Sequence, residues 1–148
     1  MEYITGIHAL NIPCKLDTSG DWHASALKWE KISTAESKDS LFGDYGIEQN
    51  KYIPGHKGTY YVANHIRALL DLLSQGKFSV AQGMNNDFIC NPKYDNEVFS
   101  KVEEMKCLPI WNDIDNFMGM EYKLKWLNYK EGAWKAGKTD TKQSLATF

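Results

Sequence analysis

Apolar and polar positions follow one rhythm up to about Gly58 and another after it. In the first stretch the runs are short. Residues 3–12 (Tyr-Ile-Thr-Gly-Ile-His-Ala-Leu-Asn-Ile) are rich in strand formers, carry no helical stripe and are ended by Pro13. Leu16 to Gly20 has the composition of a turn. In residues 26–34, Leu27 and Trp29 share one face of an extended chain, and Lys28 and Glu30 share the other. Leu41 to Glu48 reads as strand, turn and strand, because Gly43 and Gly46 admit positive φ. Residues 50–58 form a polar loop around Pro54.

Beyond Thr59, a plausible N-cap, the period lengthens. Val62, Ile66, Leu69, Leu70 and Leu73 recur as the stripe of an amphipathic helix, closed by Gly76. Asp95 starts a second helix with Val98, Val102 and Met105 on one face, and Pro109 breaks it. Residues 110–130 supply a third. Ile114, Phe117, Met118, Tyr122 and Trp126 fit a helix, although Tyr122 to Trp126 also alternates like a strand. Helix is the reading adopted, with Gly119 its weak point at about 1 kcal/mol. The pattern predicts an α+β fold: an N-terminal antiparallel sheet over about residues 3–50, packed by about three C-terminal helices. Residues 1–130 form one domain, and residues 131–148 form a polar, flexible tail.

Composition narrows the class. At 148 residues, 43% apolar and 13% aromatic, the chain can build a core and is not disordered. It has no apolar run of about 18 residues to span a membrane. The net charge of −2 does not suggest a polyanion binder, and Arg67 stands alone among 17 basic residues. Arginine supplies the planar fork for phosphates and carboxylates, so its scarcity argues against bidentate anion recognition. Cys14, Cys90 and Cys107 are odd in number and widely spaced, as free thiols in a reducing compartment would be. The first residues lack the basic and apolar regions of a signal peptide, so a cytoplasmic location is expected.

Candidate chemistry gathers near the N-terminus, at His8, Cys14, Asp17, Asp21 and His23. Asp21 and His23 are spaced to share one side of an extended segment. All five types can act as acid, base, nucleophile or ligand. If the protein is an enzyme, His8, Asp21 and His23 are its candidate catalytic residues, and Cys14, His8 and His23 are weak candidates for a metal. The competing reading is a buried His8 and Cys14 beside turn-forming aspartates. His56 and His65 make a thinner pair. Gln82 to Asp87 is dense in amides, which suits either a ligand or a capped turn. No dinucleotide or P-loop glycine pattern, nucleophile elbow or zinc-protease helix occurs, so no cofactor is expected.

The aromatic surplus divides in two. Tyr3, Trp29, Phe78 and Phe99 sit in or beside apolar patterns and belong to a core. Trp22, Tyr45, Trp111, Trp126, Tyr129 and Trp134 sit at turns, element edges or the Lys-rich C-terminal segment. These six are the candidate binding residues, because Trp and Tyr anchor protein interfaces.

Gly6-Ile7-His8-Ala9-Leu10-Asn11-Ile12-Pro13-Cys14 leads on to Gly20-Asp21-Trp22-His23. Together with Phe42 to Gly46 and Val62 to Arg67, this wording resembles small bacterial proteins associated with mobile-element and toxin–antitoxin or abortive-infection loci. The resemblance covers about residues 1–130. It implies a bacterial or phage origin and a protein-neutralising role, and it carries no catalytic residue. The expected function is therefore steric binding of a partner protein, as an antitoxin, immunity factor or inhibitor. One alternative is a nuclease- or transferase-like toxin enzyme using His8, Asp21 and His23. Another is a nucleic-acid binder using lysines and rings beyond Glu121.

Overall fold

The computed structural model describes the backbone of residues 1–139 and the side chains of residues 1–132. Its architecture is α+β, with a four-stranded sheet in the N-terminal half and helices dominating the remainder. The strands are β1 (Glu2–Ile4), β2 (Thr34–Glu36), β3 (Ile47–Lys51) and β4 (Tyr60–Ala63). Their order across the sheet is β2-β1-β4-β3. The sheet is mixed rather than wholly antiparallel. β1 pairs antiparallel with β2 and β4 with β3, but Ile4 of β1 lies in parallel register with Val62 of β4.

Several expected strands are placed differently. β1 stops at Ile4, and Gly6–Leu10 forms a short helix, α1. Residues 27–33 are irregular. The indole N–H of Trp29 donates to the Ala24 carbonyl, and the neighbouring strand forms later, at β2. Val62 matches the helical stripe but belongs to β4, where Tyr-Tyr-Val-Ala is a good strand sequence. The helix begins beyond Asn64, whose side chain accepts the Arg67 N–H at 2.8 Å. Asn64, not Thr59, is the N-cap.

That helix, α2 (His65–Ser74), is the centre of the molecule, with every residue from His65 to Leu73 buried. Full burial of each of Ile66, Leu69, Leu70 and Leu73 contributes about 1.5–3 kcal/mol. Around it lie α3 (Phe78–Ala81), a π-helical turn at Met84–Ile89 and α4 (Asp95–Glu103). α5 (Trp111–Tyr122) and α6 (Leu124–Thr139) follow. Residues 110–130 are thus helical, but the break falls at Lys123 rather than Gly119. α6 runs on to Thr139, and the remainder of the polar tail expected over residues 131–148 lies outside the described residues.

Two charges are buried in this core. The Arg67 guanidinium is wholly inaccessible and sits 4.8 Å from the centre of the Tyr3 ring. Its Nε donates to Asp71 at 3.0 Å, and Nη2 donates to the Tyr3 hydroxyl at 2.8 Å. Nη1 donates to the carbonyls of Gly43 and Tyr45. The Tyr3 and Thr5 hydroxyls complete the Asp71 carboxylate at 2.6 and 2.7 Å. Gly46, at φ 72°, makes the close approach possible, since a Cβ there would lie 2.8 Å from that of Arg67. One satisfied network therefore fastens α2 to β1 and to the 43–46 turn.

Candidate functional site

The N-terminal residues singled out above are distributed over several settings. His8 spends both ring nitrogens on the following loop. Its Nδ1 accepts the Ser33 N–H at 3.2 Å, so Nε2 carries the proton facing the Lys28 carbonyl at 3.1 Å. With Trp29 edge-on at a centroid distance of 5.0 Å, His8 is a structural residue of α1. Asp17 fastens its loop to residues 91–94, through Asn91, Lys93 and the Tyr94 hydroxyl. Asp21 and His23 do meet, with Oδ1 and Nδ1 2.6 Å apart. Burial opposes charge on Asp21. The hydrogen bonds from His23, Asn11 and the Trp22 N–H outweigh it and hold the carboxyl below its ordinary range.

Cys14 pairs with a residue from the other candidate group. Its Sγ lies 3.6 Å from Thr18 Oγ1, which lies 2.7 Å from His65 Nδ1. His65 Nε2 is 2.8 Å from the Ile12 carbonyl. A carbonyl only accepts, so Nε2 is protonated and Nδ1 faces the hydroxyl. Gly20 is the fourth wall: at φ 70°, a Cβ there would stand 2.6 Å from His65 Cε1. Burial works against charge on both Cys14 and His65. Their contact outweighs it, lowering the thiol and raising the imidazole. These groups line a cleft of about 250 Å³ shared with Asp21 and Trp22. Thr18 carries no sequence signal; Asn64, an N-cap residue type directly before His65, is the signal that could have placed the helix start, which the pattern put at Thr59. Among the described residues, no three His, Cys, Asp or Glu side chains are arranged to hold a metal ion.

The five candidate binding aromatics whose side chains are described do not form one surface. Trp126 is fully buried, its ring stacked on Tyr129 at 5.9 Å and edge-on to Phe99 at 5.4 Å. Trp111 packs against it at 6.3 Å. The Trp126 indole N–H donates to Asp115 at 2.8 Å, so this ring anchors α6 to α5 instead of facing a partner. Tyr45 donates to Glu97 and lies under the Lys101 ammonium. Trp134 lies outside the described side chains. Only Trp22 of the described five is widely exposed, at 82%.

Large apolar groups are exposed elsewhere. Phe78 of α3 and Phe117 of α5, with ring centres 5.6 Å apart, floor a cleft of about 370 Å³. A second, polar cleft of about 540 Å³ adjoins it and shares Ser79, Gln82, Met120 and Glu121. The amide-rich segment folds around Glu121, whose carboxylate accepts the N–H groups of Gly83 and Asn85 at 3.2 and 3.1 Å. Met120 stands on the rim at 72% exposure, followed on α6 by Leu124 at 69% and Leu127 at 49%. Compared with protein-family models, with curated proteins and with solved structures, the chain matches none of them.

Proposed function

We propose that the protein is a binding module that docks a partner protein on the α3–α5 groove and the start of α6, neutralising or modulating that partner by covering it. The observation that carries this reading is an open cleft floored by Phe78 and Phe117 with Met120 exposed on its rim, together with the exposure of Leu124 and Leu127 on the helix that follows. Leu124 and Leu127 are three residues apart on one helix and so share a face. Large apolar groups held in water next to a concave apolar surface are the usual mark of an interaction site. The groove suits a partner that presents an apolar helix or loop. An antitoxin, immunity or inhibitor role, as the resemblance implies, is consistent with such a surface.

The nucleic-acid alternative loses much of its basis. Lys125 and Lys130 are paired with Asp95 and Asp115 at 3.1 and 2.7 Å, and the Trp126 ring is inside. The test is co-expression with the products of the flanking genes, followed by purification of the complex. One product should co-purify with the wild-type chain and be lost from Leu124→Asp/Leu127→Asp, while circular dichroism stays unchanged. Binding that survives the double substitution, or no binding by any flanking product, would refute the proposal.

A further inference from the structure

We infer that Cys14, Thr18 and His65 form a thiol–imidazole site that accepts a small neutral acyl group, such as an ester or thioester, in the cleft they share with Asp21 and Trp22. This goes beyond docking and is independent of it, since among the described residues the groove and this cleft have no lining residue in common.

The geometry supplies a relay. In the neutral state the Thr18 hydroxyl donates to His65 Nδ1 and accepts from the Cys14 thiol. The thiol proton can pass to Thr18 Oγ1 as the Thr18 proton passes to Nδ1. This gives a thiolate and an imidazolium with Thr18 unchanged. The ring is held for this transfer by the Ile12 carbonyl on Nε2 and by Gly20 against Cε1. Glu48 of β3 stabilises the imidazolium. Its other duties are the Lys15 N–H at 2.9 Å and the Lys51 ammonium at 2.8 Å. Lys51 in turn donates to the Pro13 carbonyl, and Asp21 is occupied by His23, so the charges around the pair are fixed.

The cleft selects the ligand class. Leu10, Ile12 and Pro13 offer apolar contact, Asp21 repels anions, and among the described residues no Lys or Arg lines the walls. Phosphates and free carboxylates are therefore disfavoured. The volume, about 250 Å³, is below the usual range of about 300–1,000 Å³ for small-molecule sites, so the acyl group is short. Attack by the thiolate forms an S–C bond and breaks the bond from the acyl carbon to the leaving oxygen or sulfur. The leaving group takes its proton back from His65 through Thr18. Water, or an acceptor hydroxyl or amine, then attacks the S-acyl group. His65 receives the attacking proton and returns it to the thiolate, so the thiol is restored.

The test uses the full chain. Iodoacetamide labelling is followed cysteine by cysteine by mass spectrometry across pH, with the exposed Cys90 and Cys107 as internal references. The labelling profile of Cys14 should have its midpoint at lower pH than both references, with a several-fold faster rate near about pH 6.5. His65→Gln and Thr18→Val should return the midpoint to theirs. p-Nitrophenyl acetate should give a burst of nitrophenolate and an acetyl group on Cys14, absent from Cys14→Ser. A Cys14 profile that coincides with those of Cys90 and Cys107 overturns the inference, and so does a wild-type chain that is never acetylated there. Both readings come from the unmodified protein, so they stand even if a variant fails to fold.

Discussion

Arg67 and Asp71 show how a residue can be forced into the core by its partners. Each is buried, and each is satisfied only because Tyr3, Thr5 and two backbone carbonyls converge on the pair. Removing one partner strands the other charge away from water. Arg67→Met should cost about 3–5 kcal/mol in urea unfolding, more than an ordinary surface substitution. A loss under about 1 kcal/mol would show that Asp71 finds other compensation. Asp21 offers a pH test at the same scale. Its carboxyl is lowered in the fold, so its contribution is present above the ordinary carboxylate range. That contribution is lost as pH falls through the lowered value. Acid unfolding of Asp21→Asn should therefore be less steep with pH than that of the wild type. The spacing of Asp21 and His23 made their pairing legible in the sequence, whereas the Arg67–Asp71 network with Tyr3 and Thr5 was not. The lone arginine is visible in the sequence, but nothing there marks it as buried.

At the scale of elements, the α5–α6 junction carries two expectations. Asp115 accepts from the Trp126 indole and the Lys130 ammonium, and these bonds outweigh burial to keep its carboxyl below the ordinary range. Asp115→Ala leaves the indole N–H of a buried ring without an acceptor. That should cost about 1–3 kcal/mol by thermal or urea unfolding. The helices are separated by Lys123 at φ 54°, ψ −128°, a conformation that glycine adopts at no steric cost. Lys123→Gly should stabilise the protein by up to about 1 kcal/mol, and a loss of stability would contradict the strain. Gly119 marked the weak point by propensity, yet helix α5 runs through it, because Met118 and Tyr122 are buried on either side. Tertiary packing also overrode pattern at Val62, which fits a strand alternation as well as a helical stripe. The α2 stripe, the α4 start at Asp95 and the turn before β3 were legible because packing and propensity agree there.

For the whole molecule, one apolar cluster joins Tyr3 of the sheet to Trp126 of the last helix. Both halves should therefore unfold together. Far-ultraviolet dichroism and tryptophan fluorescence are expected to give coincident urea transitions, and two separated midpoints would show independent halves. The fold class was readable from the change in period near Gly58, but the parallel pairing of β1 with β4 was not, since it depends on contacts 58 residues apart (Ile4 and Val62). The site was half legible for the same reason: Cys14 and His65 were both visible as chemistry, and only the fold places them together. The solitary guanidinium has a practical consequence. An arginine-selective dicarbonyl reagent has a single target in this chain, and the folded protein hides it completely. Adduct formation would then measure how often the centre opens, giving a one-position clock for native-state breathing without introducing any probe.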